Sequence, residues 1–165
     1  HCHRDRRLQP ATADGGVDRA RGQSGLAHEP GGASGAAAPR LSGVILVDSS
    51  SWIHFLRPNG DLAVRARVES ALTAGEACWC PLVRLELWNG AAGERDRKIL
   101  RDFESVLPEL SIDDEVWAAA DALARRARSS GVSVPATDIL IAACARRHGA
   151  ELETTDADFA LLRSV

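Results

Sequence analysis

The sequence predicts an α/β protein, a three-layer α/β/α fold around a central parallel sheet of four or five strands. Two observations carry that expectation. From Val44 onward, short apolar runs alternate with segments of helical periodicity, which is the signature of βαβ units. In addition, four acidic residues, Asp48, Glu86, Asp138 and Asp156, fall where such a fold would bring them to one edge of the sheet. A chain of 165 residues is one domain's worth and long enough to bury a core.

The elements follow in order. Val44-Ile45-Leu46-Val47 reads as a strand over 44–47 that ends at Asp48, and a helix over 50–56 follows Ser49-Ser50-Ser51, whose hydroxyls suit a helix start. Pro58-Asn59-Gly60 is a turn, and Gly75 stops a helix over 61–74. A strand over 77–80 leads into a helix over 81–91 opened by Pro81, then a helix over 95–106 and a strand over 109–112. Val116, Ala120, Leu123 and Ala127 make the apolar stripe of a helix over 114–129. Behind Pro135 comes a helix over 137–148, apolar until Arg146-Arg147-His148 and therefore expected to pack in the core before Gly149 ends it. A strand over 151–154 and a helix over 157–162 complete the chain, with no internal repeat.

Residues 1–42 are rich in Gly, Ala, Arg and Pro, offer no periodic apolar face and are expected to be disordered. The chain contains no methionine, and the folded pattern begins abruptly at Val44. Val44 is therefore expected to be the initiator, read from an alternative start codon, with residues 1–43 an over-extended gene start and 44–165 the folded domain. The intact mass of the natural product tests this.

Of the 20 basic and 23 acidic side chains, six and four fall in residues 1–43, leaving 14 and 19 in the remainder, a net charge of −5. That is not the footprint of a domain that grips nucleic acid by charge alone, but it fits an acidic pocket neutralised by cations. Cys2, Cys78, Cys80 and Cys144 form no disulfide framework, which fits a reducing cytoplasm. Cys78 and Cys80 share a strand face without further thiol or imidazole ligands nearby, so small buried residues are the expectation. No stretch approaches the roughly 20 apolar residues of a membrane span, and the N-terminus lacks a signal peptide's long apolar core, so a soluble, intracellular protein is expected.

Each acid also has an ordinary structural reading. Asp48 could simply cap the helix after it, and Asp138 sits in the first turn of a helix, where the dipole favours an anion. Yet that helix packs inward, so its first turn opens at the sheet edge. Glu86, between Leu85 and Leu87-Trp88, needs a partner or a perturbed proton affinity, and Arg84 lies on a different face. Of Asp156 and Asp158, one could cap the terminal helix. Together the four acids offer hard oxygen ligands without His or Cys, which suits Mg²⁺ or Mn²⁺ and disfavours zinc. Such sites act on phosphate esters.

Val47-Asp48-Ser49-Ser50-Ser51-Trp52-Ile53, Leu85-Glu86-Leu87, Pro135-Ala136-Thr137-Asp138-Ile139-Leu140-Ile141-Ala142-Ala143 and Thr154-Thr155-Asp156-Ala157-Asp158-Phe159, in this order and spacing, resemble the PIN domain. More narrowly they resemble the VapC-type toxins of bacterial toxin–antitoxin pairs, over essentially residues 44–165. The resemblance implies a PIN-like three-layer fold and a Mg²⁺-dependent endoribonuclease silenced by a cognate antitoxin. It places Asp48, Glu86, Asp138 and Asp156 in the catalytic quartet. Asp48, Asp138 and Asp156 would hold the metal, Glu86 would orient or deprotonate the attacking water, and Ser50, Thr154 and Asp158 would support them. A homodimer and an antitoxin segment near the site are also implied. Arg57, Arg65, Arg67, Arg84, Arg95, Arg97, Lys98 and Arg101 are candidate RNA contacts, although solvated helix faces explain most of them. Trp52 and Trp88 could stack on bases or pack internally.

Rival readings are a PIN-type nuclease in RNA processing without a toxin role, a non-catalytic binding module of the same fold, and a phospho-acceptor receiver domain. The last would need paired acids after the first strand and a Lys after a later one. Ser49-Ser50-Ser51 and the lone Lys98 argue against it.

Overall fold

The computed structural model describes residues 43–165, so the readings made for residues 1–42 lie outside the described residues. Strands β1 (Ile45–Val47), β2 (Ala77–Cys78) and β3 (Glu151–Glu153) form a parallel sheet in the order β2-β1-β3. Ile45 lies level with Ala77 on one side and Glu151 on the other, and Val47 with Glu153. Leu46 and Val47 are fully buried, as a central strand covered on both faces requires.

Seven helices surround this sheet among the described residues: α1 (Ser49–Leu56), α2 (Leu62–Thr73), α3 (Pro81–Gly90), α4 (Glu94–Val106), α5 (Asp114–Ser129), α6 (Ala136–His148) and α7 (Asp158–Arg163). The step from β1 to β2 and the return past β1 to β3 run in opposite directions across the sheet. Right-handed crossovers therefore send their helices to opposite faces, which makes three layers.

The described sheet has three strands rather than four or five. The segment expected as a strand over 109–112 contributes a single parallel bridge between Trp79 and Glu109, in which the Leu110 N–H donates to the Trp79 carbonyl at 2.8 Å. Pro108 has no N–H to extend the ladder backward, and Asp113 already caps α5, so the pairing has no room to grow.

Local chemistry explains the helix ends. Asp61 accepts from the Ala63 and Val64 amides at 2.9 Å, and Asp113 accepts from the Val116 amide at 2.9 Å. Pro81 opens α3, and Gly149 closes α6 with φ of 65°, a left-handed geometry that an L side chain resists. The Ala150 amide then reaches back to the Ala145 carbonyl at 2.9 Å.

The core joins the sheet to both helical layers. Trp52 of α1 is fully buried, with its ring 5.1 Å from Phe103 of α4, which also meets Trp79 at 6.4 Å. The α5 stripe Val116, Ala120, Leu123 and Ala127 is buried, and α5 packs on α6, which in turn touches β3, α3 and α7. Cys78, Cys80 and Cys144 are free and buried. Burial pushes the Cys78 thiol up to about 12, the behaviour of a small core residue and not of a thiolate ligand. No helix among the described residues is long and apolar enough to cross a membrane.

Candidate active site

The chain places its acids at the carboxyl edge of the sheet through strand register. Because Val47 lies level with Glu153, the residues after them, Asp48 and Thr154, become neighbours, and the Asp48 N–H donates to the Glu153 carbonyl at 2.9 Å. Connections leave in opposite directions on either side of β1, so Asp48 stands at the switch point where open α/β sheets bind ligands.

Asp48 is only 4% exposed and caps α1. Its Oδ2 accepts from the Ser50 hydroxyl at 2.7 Å, the Ser50 amide at 3.2 Å and the Thr154 hydroxyl at 3.1 Å. Each hydroxyl donates its single proton to this carboxylate and accepts in turn from the last loop. The Thr155 amide donates to Ser50 Oγ at 3.1 Å, and the Asp156 amide donates to Thr154 Oγ1 at 3.0 Å. Asp48, Ser50 and Thr154 thereby position the segment carrying Asp156 and Asp158.

Asp138 occupies the first turn of α6, where the helix dipole favours a negative charge. Its Oδ1 accepts from the Thr137 hydroxyl at 3.2 Å, whereas Oδ2 is buried and has no hydrogen-bond partner. Carboxylate oxygens of Asp138, Asp156 and Asp158 all lie within 4.8 Å of one another. Burial, opposed by the Thr137 hydrogen bond and reinforced by the charges of Asp156, Asp48 and Asp158, pushes the Asp138 carboxyl up to about 6.

Glu86 extends from α3 and is half-buried. Burial raises its pKa above the ordinary carboxylate value, a hydrogen bond from Ser49 opposes the rise, and the charge of Asp48 adds to it. Asp48 is thus within electrostatic reach of both Glu86 and Asp138.

The donor set fits a hard divalent cation: every ligand is a carboxylate oxygen, and the unpartnered Asp138 Oδ2 is an atom that a cation would satisfy. The grouping differs in one respect from the set expected from the sequence, Asp48, Asp138 and Asp156. Asp158 joins Asp138 and Asp156, while Asp48 lies within electrostatic reach of Asp138. The cause is the loop: the Asp158 amide donates to Asp156 Oδ1 at 2.9 Å, a turn that curls the two side chains together.

Two residues at this edge escaped the sequence reading. Glu153 would add another negative charge, but Arg67 Nε and Nη2 clamp it at 3.0 Å and the Ser51 hydroxyl donates to it at 3.3 Å. Its place at the end of a strand, one residue before Thr154, was the available signal. Thr137, which donates to Asp138, is the other.

Several of the candidate RNA contacts are engaged elsewhere. Arg67 holds Glu153, Arg84 reaches Glu109 at 2.6 Å and Glu104 at 3.6 Å, Lys98 pairs with Asp102 at 2.7 Å, and Arg101 pairs with Glu94. Arg57, Arg65, Arg95 and Arg97 form no ion pair among the described residues. Trp52 lies inside the core, and Trp88 donates its indole N–H to Glu104 at 2.8 Å.

Comparison with known proteins agrees with this architecture. The family model described as the PIN domain matches residues 45–164. The VapC ribonuclease Mb1587 of Mycobacterium bovis is 34% identical over 125 residues, covering 74% of this chain and 93% of that protein. Ribonuclease VapC11 of Mycobacterium tuberculosis gives the same identity and coverage. Among solved structures, FitAcB from Neisseria gonorrhoeae superposes with a TM-score of 0.59 at 21% identity, over 73% of this chain and 94% of that one. DNA-bound VapBC from Salmonella typhimurium gives 0.61 at 22% identity, over 71% and 90%.

Proposed function

The chain belongs to the PIN-domain family, and from that premise we propose that it is a Mg²⁺-dependent endoribonuclease acting as the toxin of a toxin–antitoxin pair. The observation that carries the reading is the carboxylate group at the sheet edge, with its buried, unpartnered Asp138 oxygen. Relatives named VapC ribonucleases supply the substrate class, and solved VapBC assemblies supply the kind of partner, an antitoxin.

Asp138, Asp156 and Asp158, with Asp48 beside them, would hold Mg²⁺, for which Mn²⁺ could substitute. When bound, that ion lowers the pKa of water and offsets charge developing on the phosphoryl oxygens. Glu86, its proton affinity raised by burial, accepts the proton of the water that attacks phosphorus in line. The P–O3′ bond breaks as the new P–O bond forms, the leaving O3′ takes a proton from solvent, and the products are a 5′-phosphate and a 3′-hydroxyl. Ser50 and Thr154 keep Asp48 fixed throughout by donating to one of its oxygens. A homodimer is part of the same proposal.

The test is an RNA-cleavage assay with Mg²⁺ that compares the natural sequence with Asp48→Ala and Asp138→Ala. Cleavage is expected from the first alone, and equal activity of all three would end the catalytic reading. For the toxin role, induced expression without an antitoxin should arrest growth, and unimpaired growth with folded protein present would count against it.

A further inference from the structure

We propose that Cys80 and Cys144 form a dithiol modification site, which a hydroperoxide converts to an intrachain disulfide that ties the start of α3 to α6. The bridge follows from the packing alone, and its effect on cleavage rests on the nuclease reading.

The step from β2 into α3 sets the pair. Side chains two apart on an extended chain share a face, so Cys78 and Cys80 point one way and Trp79 the other, where its ring meets Phe103 of α4. Cys144 of α6 approaches from the Cys80 side. The Leu110 amide donates to the Trp79 carbonyl at 2.8 Å, which sets residues 110 and 111 beside Cys80. Cys144 Sγ lies 4.0 Å from the Leu110 carbonyl oxygen and 3.8 Å from that of Ser111, both long contacts, and its thiol is in hydrogen-bond contact with Cys80. Cys80 and Cys144 are both fully buried.

The three buried thiols differ in chemistry. Cys78 donates to the Ile45 carbonyl at 3.3 Å, and burial keeps it protonated. Cys80 is the N-cap of α3, where a helix favours an anion. The hydrogen bond from Cys144 holds the Cys80 thiol below its usual range against burial, and the Val83 and Leu82 amides add to the effect. The same hydrogen bond, with burial, raises Cys144. Cys80 is therefore the nucleophile and Cys144 the resolving thiol. Pro81 and Leu82, next to Cys80, are half-buried, so a local opening at the start of α3 admits a small oxidant.

The Cys80 thiolate attacks one peroxide oxygen and the O–O bond breaks. The departing hydroxide takes a proton and leaves as water, and Cys80 becomes a sulfenic acid. Cys144 then gives up its proton and its sulfur attacks Cys80 Sγ. The S–S bond forms, the S–O bond breaks, and a second water leaves. In total the dithiol loses two electrons and two protons, and the peroxide is reduced to two waters. A disulfide brings its sulfurs to about 2.0 Å, well inside the separation of two thiols in hydrogen-bond contact, so α3 and α6 must shift toward each other. α3 carries Glu86 and α6 carries Asp138, and displacing a catalytic group by about 1 Å can cost about 100-fold in rate.

The experiment treats the full chain with hydrogen peroxide, alkylates the remaining thiols, digests without reductant and maps bridges by mass spectrometry. A bridge between Cys80 and Cys144 is expected in the natural chain and in neither C80S nor C144A. Ser is a favoured N-cap and Ala matches the residues around Cys144, so both variants should fold, as circular dichroism checks. A folded natural chain that forms no such bridge, or that pairs through Cys78 or Cys2 instead, overturns the proposal.

Cleavage of RNA with Mg²⁺ is the second readout. It should fall about 10- to 100-fold in the bridged chain and return with dithiothreitol once the peroxide is removed, while both variants keep their activity under peroxide. A bridged chain that cleaves as fast as the reduced one overturns the link to cleavage. A chain that forms the bridge but cleaves no RNA even when reduced sinks the nuclease reading and leaves the modification site standing. Cleavage by a reduced chain that never forms the bridge does the reverse.

Discussion

A carboxylate with one oxygen buried and unpartnered opposes folding whenever it is ionised, and Asp138 is that carboxylate. Its folded pKa of about 6 lies above the ordinary 3.8, so the folded state holds the proton more tightly than the unfolded chain. Without metal, stability should therefore be highest below the unfolded value and fall as pH rises from about 4 to 6, then level off. Asp138→Asn should remove that dependence and raise neutral-pH stability by about 1 kcal/mol, the per-unit value discounted because the group is partly exposed and screened. Denaturant unfolding at several pH values checks this, and RNA cleavage by the same variant should fall at least about 100-fold. Protons compete with metal for the same oxygens, so Mg²⁺ affinity measured calorimetrically should weaken steadily below pH of about 6. Asp48 and Asp138 were legible because a strand end and a proline-led helix start are written in adjacent residues. The place of Asp158 in the trio was not, since it depends on a turn closed by a single hydrogen bond from the Asp158 amide to the Asp156 carboxylate.

Among the elements, α5 and α6 show how a remote stripe serves the site. Leu123 of α5 is 1% exposed, α5 packs on α6, and α6 carries Asp138. Leu123→Ala should cost about 3 kcal/mol through lost burial and the cavity left behind, measured by denaturant unfolding. The periodicity that revealed this helix is local, and so are its Asp113 cap and acidic first turn. The segment at 109–112 misled because its apolar residues alternate with polar ones as in a strand, while Pro108 and the Asp113 cap leave room for one bridge. Whether a short apolar run becomes a strand depends on the neighbour it meets, and that neighbour, Trp79, is distant in the sequence.

For the molecule as a whole, crowded carboxylates would make the proposed metal a partner in stability as well as in chemistry. Mg²⁺ at 100 times its dissociation constant should stabilise the natural chain by about 2.7 kcal/mol, seen as a higher melting temperature, and should do little for Asp138→Asn. The net acidity was legible from composition, but the division of the arginines was not. Arg67 finds Glu153 across 86 positions and Arg84 finds Glu109 across 25, so only the folded chain separates the engaged cations from those that form no ion pair among the described residues.

The sheet order has a consequence for biosynthesis. β1 forms first, yet one of its two neighbours is β3, which follows it by roughly a hundred residues, and the loop after β3 brings Asp156 and Asp158. Pairing across so long a separation is slow, and a ribosome adds about 5–20 residues each second. A growing chain therefore carries Asp48 and Asp138 for seconds without the strand that aligns them with their partners, and it stays incapable of assembling the carboxylate group until β3 has docked.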